Sequence, residues 1–467
     1  MIRNVFLIVL SVTFLAGCTM APAYKRPEPP VPASWPTGAA YKEAAEGEGL
    51  DAGEIAWNEF YADEKMGQVI ASALANNRDL RVAALNIEKA RALYRIQRAE
   101  LFPVVSAAGV LNEYRTPAGI SSTGEAITDR QYEAGLGISS WEIDFFGRIR
   151  SLKDRALEQY LATEQAERSA RISLMAEVAN TYLTLAADRE NLKLARSTLE
   201  AQEASYGLIL RRYEVGASSE LVLRQAQTRV EAARVDVARY TGMVAIDENA
   251  LNLLVGSTVP DELLPGGLND VTEPKDISPG LSSEILLQRP DILQAENILK
   301  AANANIGAAR AAFFPRITLT TGIGTTSNEL SGLFKAGAAT WAFVPQAVMP
   351  VFEAGSLWAR LRATTVDRDI YLAQYEKSIQ TAFREVADAL ARKGTVGDQL
   401  AAQTSLAEAS AEAYRLSNAR YMQGIDGYLS VLDAQRSLYA AQQGLITVRL
   451  SYLANRVTLY KVLGGGK

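Results

Sequence analysis

Histidine is missing from all 467 residues. Its absence removes the commonest general base and the commonest metal ligand. Cysteine occurs once, as Cys18, so no disulfide can form within the chain. There is no nucleophile motif, no metal-spaced cluster and no glycine-rich phosphate loop, and catalysis is not expected. Neither sign of charge dominates: 48 basic and 53 acidic side chains, interspersed, leave a net charge of −5, which argues against nucleic acid as a partner. Beyond the first 17 residues no apolar run reaches the ~18 residues that a transmembrane helix needs. If the chain crosses a membrane, it must do so with a closed β-barrel. Proline is absent from residues 118–259 and again from 351–467. Interior proline costs a helix about 3 kcal/mol, so these two stretches are expected to be helical.

What the chain does have begins with a positive start at Arg3, an apolar Val5–Leu15, and Leu15-Ala16-Gly17 before Cys18. This is a secretory signal, residues 1–17, ending in a lipobox-like site. Cys18 becomes the mature, lipid-carrying N-terminus, and this covalent lipid is the only cofactor expected. Residues 18–60 then read as a lipid-anchored extended segment, with six prolines between Pro22 and Pro36.

The first helical stretch repeats Val178, Leu185, Leu192, Leu199, Tyr206 and Tyr213 every seven residues, which implies coiled-coil-like packing. A continuous helix from Arg148 to Tyr213 would be on the order of 100 Å long at ~1.5 Å per residue. In the second stretch, Gly394 and Gly397 predict a kink or weak point. Each stretch follows a pair of strand-like runs, at 104–141 and 316–351. Gln131–Trp141 sets Tyr132, Ala134, Leu136 and Ile138 on one face, and Arg316–Gly324 alternates likewise, as transmembrane strands do. Pro345 and Pro350 weaken the last run. Soluble hairpins packed on the helices would give the same pattern.

The sequence is also a duplication. Arg212, Tyr213, Gly216, Leu221, Ala226, Gln227, Ala232 and Ala233 reappear 208 residues later as Arg420, Tyr421, Gly424, Leu429, Ala434, Gln435, Ala440 and Ala441. The expected organisation is a first repeat at 61–256, a proline-rich linker at 257–283 and a second repeat at 284–467. Each repeat holds a helix, a β-hairpin and a long helical hairpin (148–256 and 356–463). Gly424 and Gly427 break the second hairpin at its tip. Beyond them Leu429, Asp433 and Arg436 fall on one helical stripe. Four strands cannot close a barrel, for which about eight are needed, so a membrane-spanning version requires several copies; three copies supply twelve strands.

Taken in order, Trp141-Glu142-Ile143-Asp144-Phe145-Phe146-Gly147-Arg148, Gln288-Arg289-Pro290-Asp291-Ile292, Arg310-Ala311-Ala312-Phe313-Phe314-Pro315, Pro350-Val351-Phe352-Glu353-Ala354-Gly355 and Leu432-Asp433-Ala434-Gln435-Arg436 resemble the outer-membrane efflux protein family of TolC/OprM-like ducts, in its lipoprotein branch. The resemblance covers nearly all of the mature chain. It implies an α+β membrane protein: a homotrimer with a twelve-stranded β-barrel in outer-membrane lipid, continuous with a periplasmic α-helical barrel. It also implies a periplasmic adaptor and an inner-membrane resistance-nodulation-division transporter as partners. By the same resemblance, Leu429, Asp433 and Arg436 match the periplasmic constriction. Relatives with a second acid carry it where this chain has Ser430. The tips, with Arg212, Tyr213, Gly216 and Ser218 on one side and Arg420, Tyr421, Gly424 and Asp426 on the other, match the adaptor-contacting surfaces. Efflux of small molecules is the expected function. Export of proteins by a type I secretion system and a lipid-anchored helical scaffold without a channel are the alternatives.

Overall fold

The computed structural model describes residues 19–41, 50–51, 55–278 and 282–465. Cys18 and the signal segment lie outside the described residues. Seven helices carry most of the chain: α1 (Glu64–Asn76), α2 (Arg78–Ala99), α3 (Arg148–Glu214), α4 (Glu220–Val255), α5 (Pro290–Ala311), α6 (Ser356–Met422) and α7 (Tyr428–Val462). Four strands, β1 (Val105–Thr116), β2 (Ile127–Glu142), β3 (Arg316–Ser327) and β4 (Ala339–Val348), form one antiparallel sheet in that order. Helices α3 and α6 have 67 residues each, and α6 continues unbroken through Gly394 and Gly397. An interior glycine costs only about 1 kcal/mol relative to alanine, so two of them do not end a helix of this length. Two compact units divide the chain, each assembled from three separate segments.

The first unit takes its described residues from 19–28, 86–164 and 294–375 and contains the sheet. Strands β1 and β2 pair from Val105↔Ile138 to Thr116↔Ile127, and β3 and β4 from Arg316↔Val348 to Thr325↔Ala339. The two hairpins join through β2 and β3, where Gly135 faces Gly324 and Gly137 faces Gly322. The alternation of β2 fails at its end: the β2–β3 register slips between Ile138 and Trp141, and Ser140 takes φ 52°. A bulge re-aims the residues that follow it. One of those is Glu142, almost fully buried, which accepts both forks of Arg148 at 2.9 and 2.8 Å and an ion pair from Arg316 at 2.6 Å. Asp144 caps α3, accepting from the backbone N–H groups of Ile149 (3.1 Å) and Arg150 (2.8 Å). The acids and arginines of that motif thus weld the strand's end to the start of the helix.

The strap at 19–28 has neither helix nor strand, as its prolines predict, and it is bound along helix α5. Helix α5 presents Glu296, Lys300, Asn303, Gly307 and Arg310 on one stripe, at spacings of four and three. Arg310 donates to the carbonyl of Met20 (3.2 Å) and Asn303 to that of Pro22 (2.7 Å). Ala21 crosses Gly307 so closely that a Cβ there would lie 2.6 Å from its nitrogen. Buried Glu296 accepts from the Tyr24 hydroxyl (3.1 Å) and from Arg26 (2.5 Å) and pairs with Lys300 (3.2 Å). Burial acts to raise its carboxyl pKa, but the two cations outweigh it and hold the group below the usual range.

The second unit draws on 29–85, 165–293 and 376–467 and holds the larger helical core. Val178 and Leu185 are fully buried, Leu192 nearly so, Leu199 and Tyr206 half-buried, and Tyr213 is exposed. The heptad therefore grades from core to surface toward the tip. The linker region 257–283 folds into short 3₁₀ turns and seats Val259, Leu264, Leu268 and Val271 in the core. Helix α7 closes against the start of the unit: the Tyr460 ring stacks on Phe60 at 3.9 Å and its hydroxyl donates to the carbonyl of Ile55 at 2.8 Å.

Candidate gate and docking tips

Both helical hairpins turn on the same backbone device. Gly216 (φ 75°) and Gly424 (φ 76°) occupy the left-handed region that side chains disfavour. Gly216 donates to the Tyr213 carbonyl and Ala217 to that of Arg212, at 2.9 and 2.7 Å; Gly424 donates to Tyr421 and Ile425 to Arg420, at 2.9 and 3.0 Å. Each pair is a Schellman closure. The strands of chain leaving the turns differ: the Ser219 hydroxyl caps α4 by accepting from Val222 at 3.4 Å, while α7 starts at Gly427 with no side-chain cap.

The named tip residues largely hold one another. Arg212 donates to the Tyr421 hydroxyl at 3.0 Å and lies 5.7 Å from that ring's centre. Arg420 grips Asp426 with two bonds, at 2.6 and 3.1 Å, and so holds its carboxyl below the usual range. Tyr421 packs on a core of Ile209, Leu223, Ala226, Tyr428, Val431 and Leu432. Ser218 is half-buried and its neighbour Ser219 does the capping. Tyr213 and Leu221 stay open, together with Val215, Met422 and Ile425, three apolar side chains that sequence reasoning did not single out. Their signal was available: large apolar residues in a turn that has no core to fill.

On α7 the buried Tyr428, Val431 and Leu432 occupy one face and the exposed Leu429, Asp433 and Arg436 the other. Burial pushes the Tyr428 hydroxyl up to about 12. Asp433 and Arg436 are ion-paired at 3.2 Å, both more than half exposed. Leu429 stands one turn ahead of the pair with 61% of its surface open. An exposed apolar side chain, an acid and a base thus share one stripe that the rest of the chain leaves uncovered. Further along, α7 is tied to α4 where Tyr439 donates to Asp236 and Gln443 to the Tyr240 hydroxyl, each at 3.0 Å.

A second acidic feature was not read from the sequence. Asp188 on α3 and Asp247 on α4 are close enough for their carboxyl groups to interact electrostatically, each has a buried carboxyl oxygen without a hydrogen-bond partner, and Asp188 is almost fully buried. Burial, with the Asp188 charge added, pushes Asp247 up to about 6. Among the described residues no cluster of three or more acids, cysteines or histidines could hold a metal ion.

The chain has relatives among known proteins. The model of the outer membrane efflux protein family matches residues 69–257 and 281–465. Two curated proteins of Pseudomonas putida, the antibiotic efflux pump outer membrane protein ArpC and the toluene efflux pump outer membrane protein TtgC, are each 49% identical over 466 residues, spanning 100% of this chain and 96% of their own length. The open state of the Neisseria gonorrhoeae MtrE outer membrane channel superimposes with a TM-score of 0.87 at 35% identity, over 96% of this chain and 98% of that one.

Proposed function

The chain belongs to the outer membrane efflux protein family and is the outer-membrane component of an efflux pump, and we propose that three copies of it form a passive exit duct. The observation that carries this is the sheet. Its outer strands β1 and β4 each pair on one side only, and four strands fall short of the roughly eight that close a barrel. Three copies close a twelve-stranded barrel with no edge left. Pro345 within β4 suits a strand at a subunit seam, where a missing N–H costs least. The matching of the family model to two segments supports the internal duplication and the division into repeats at 61–256 and 284–467.

In this trimer the stripe of Leu429, Asp433 and Arg436 meets its two copies near the axis and constricts the periplasmic mouth. Three leucines form a dewetting ring. Three carboxylates would repel one another, and Arg436 offsets that repulsion. The glycine-turned tips, with their exposed apolar rim, dock a periplasmic adaptor that links the duct to an inner-membrane transporter. Cys18 carries the lipid. The relatives named for antibiotics and toluene point to small, largely apolar cargo and away from protein export, and no residue is assigned a catalytic role.

Mass measurement of the full chain in detergent, followed by planar-bilayer recording, tests the reading. The expected result is three chain masses and a nearly closed channel. A monomer as the sole species, without conductance under any voltage, would overturn it.

A further inference from the structure

Where the strap begins, the first unit has a groove that neither the gate nor the tips use. Thr19, Arg310, Phe313, Phe314, Trp358 and Leu361 line it, and it is a shallow, open groove of about 490 Å³. That volume lies within the ~300–1,000 Å³ typical of small-molecule sites. Phe313 and Trp358 meet edge to face with centroids 5.1 Å apart. Phe314 keeps 41% and Trp358 70% of their surface open, an unusual expense of aromatic area on a wall that this chain does not cover.

The strap's attachment decides what can reach it. Met20, Ala21 and Pro22 are pinned against Arg310, Gly307 and Asn303 in turn, so the main chain runs antiparallel to α5 and delivers Thr19 into the groove wall. The next covalent bond leads to Cys18. A long apolar substituent on that cysteine is therefore attached one residue from the groove wall at Thr19. A tether this short makes binding intramolecular, at an effective concentration that free lipid does not match.

We propose that the groove between Thr19, Phe314 and Trp358 seats an acyl chain of the lipid carried by Cys18. The proposal rests on the lipidation of Cys18. The acyl chain then acts as an additional apolar side chain of the first unit, packed on fixed rings, and the anchor is rigid with respect to α5.

The test uses the full-length protein from cells fed a palmitate analogue that carries a photoreactive diazirine and an alkyne handle. After illumination, digestion and peptide mapping, the expected adduct joins the N-terminal peptide through its lipid to peptides containing Phe313–Phe314 or Trp358. Trp358→Ser should lose most of that adduct while Cys18 remains labelled and the trimer forms. If the variant fails to accumulate, the parent's adduct map decides alone. Label on Cys18 with adducts only elsewhere overturns the seat and leaves lipidation standing. An undiminished groove adduct in Cys18→Ser identifies free phospholipid as the occupant and overturns the proposal. No label on Cys18 overturns lipidation and the seat together.

Discussion

Arg289 donates through Nη1 to the carbonyl oxygen of Val462 at 2.6 Å, a bond that spans 173 positions of sequence. The same guanidinium forks onto Asp291 at 3.0 and 2.8 Å and reaches Glu385 at 2.9 Å. One buried cation thus caps the C-terminus of α7, where helix carbonyls lack partners, and ties it to the start of α5 and the interior of α6.

Replacing Arg289 by alanine strands two carboxylates and a helix-end carbonyl. Removing one partner of a fully buried pair costs about 3–5 kcal/mol. Here both carboxylates keep more than a third of their side-chain surface open, so solvent screening brings the expected loss to about 1–3 kcal/mol. Arg289→Lys keeps the charge but not the planar fork, and should recover less than half of that loss. Thermal unfolding of the purified protein reads the order parent, lysine, alanine. Equal melting of parent and alanine variant would show that the cluster carries no stability.

At the tips the measurable quantity is docking. Gly216 and Gly424 have open space around the site of an added Cβ, so a side chain there is disfavoured by its backbone angle and not by a clash. A left-handed non-glycine residue costs roughly 1–2 kcal/mol, too little to unfold the unit. Gly216→Trp and Gly424→Trp are therefore expected to leave trimer yield intact and to abolish drug resistance in a deletion strain. Full complementation by both would remove the tips as the docking surface.

For the gate, the exposed Asp433–Arg436 pair contributes only about 0–1 kcal/mol, a weak latch on its own. In the proposed trimer three copies of the pair and three leucines would act together, and neighbours need not add. Leu429→Ala/Asp433→Ala is expected to conduct ions far more readily than the parent in a planar bilayer. It should also sensitise cells to vancomycin, which the intact outer membrane excludes. Equal conductance at matched incorporation would place the constriction elsewhere.

The Asp188–Asp247 pair predicts a pH dependence of stability. Asp247 binds its proton more tightly folded than unfolded, because its folded pKa is raised from the usual 3.8 to about 6. Its stabilising contribution is complete below the unfolded value and fades as pH rises through about 6. Asp247→Asn removes that titration. The variant should gain on the parent above this window by on the order of 1 kcal/mol, allowing for solvent around the half-buried group. Parallel melting curves for the two proteins across the window would refute it.

The long helices and the tips were legible because they rest on local rules: absent proline, a seven-residue period, and glycines followed by a second copy. Gly394 and Gly397 do not end the helix, because an interior glycine costs only about 1 kcal/mol relative to alanine. The salt-bridge clusters were visible only as strings of letters. Arg289 contacts Glu385 and Val462, and Glu142 contacts Arg316, and no period in the sequence links such distant positions. The strap read as an extended proline-rich segment, which it is, but its seat was hidden because Asn303, Gly307 and Arg310 announce a stripe on α5 without saying what lies on it. The aromatic groove was hidden for the same reason, since Thr19 and Trp358 meet only in the folded unit.

The closure of Tyr460 onto Ile55 and Phe60 bears on how the protein is made. The donor and acceptor of that bond are 405 positions apart. Synthesis from the N-terminus delivers Phe60 and Tyr61 early and the tyrosine whose ring packs on both almost last. The core of the second unit therefore closes only once α7 is present, and a chain ending short of α7 leaves Phe60 without its stacking partner.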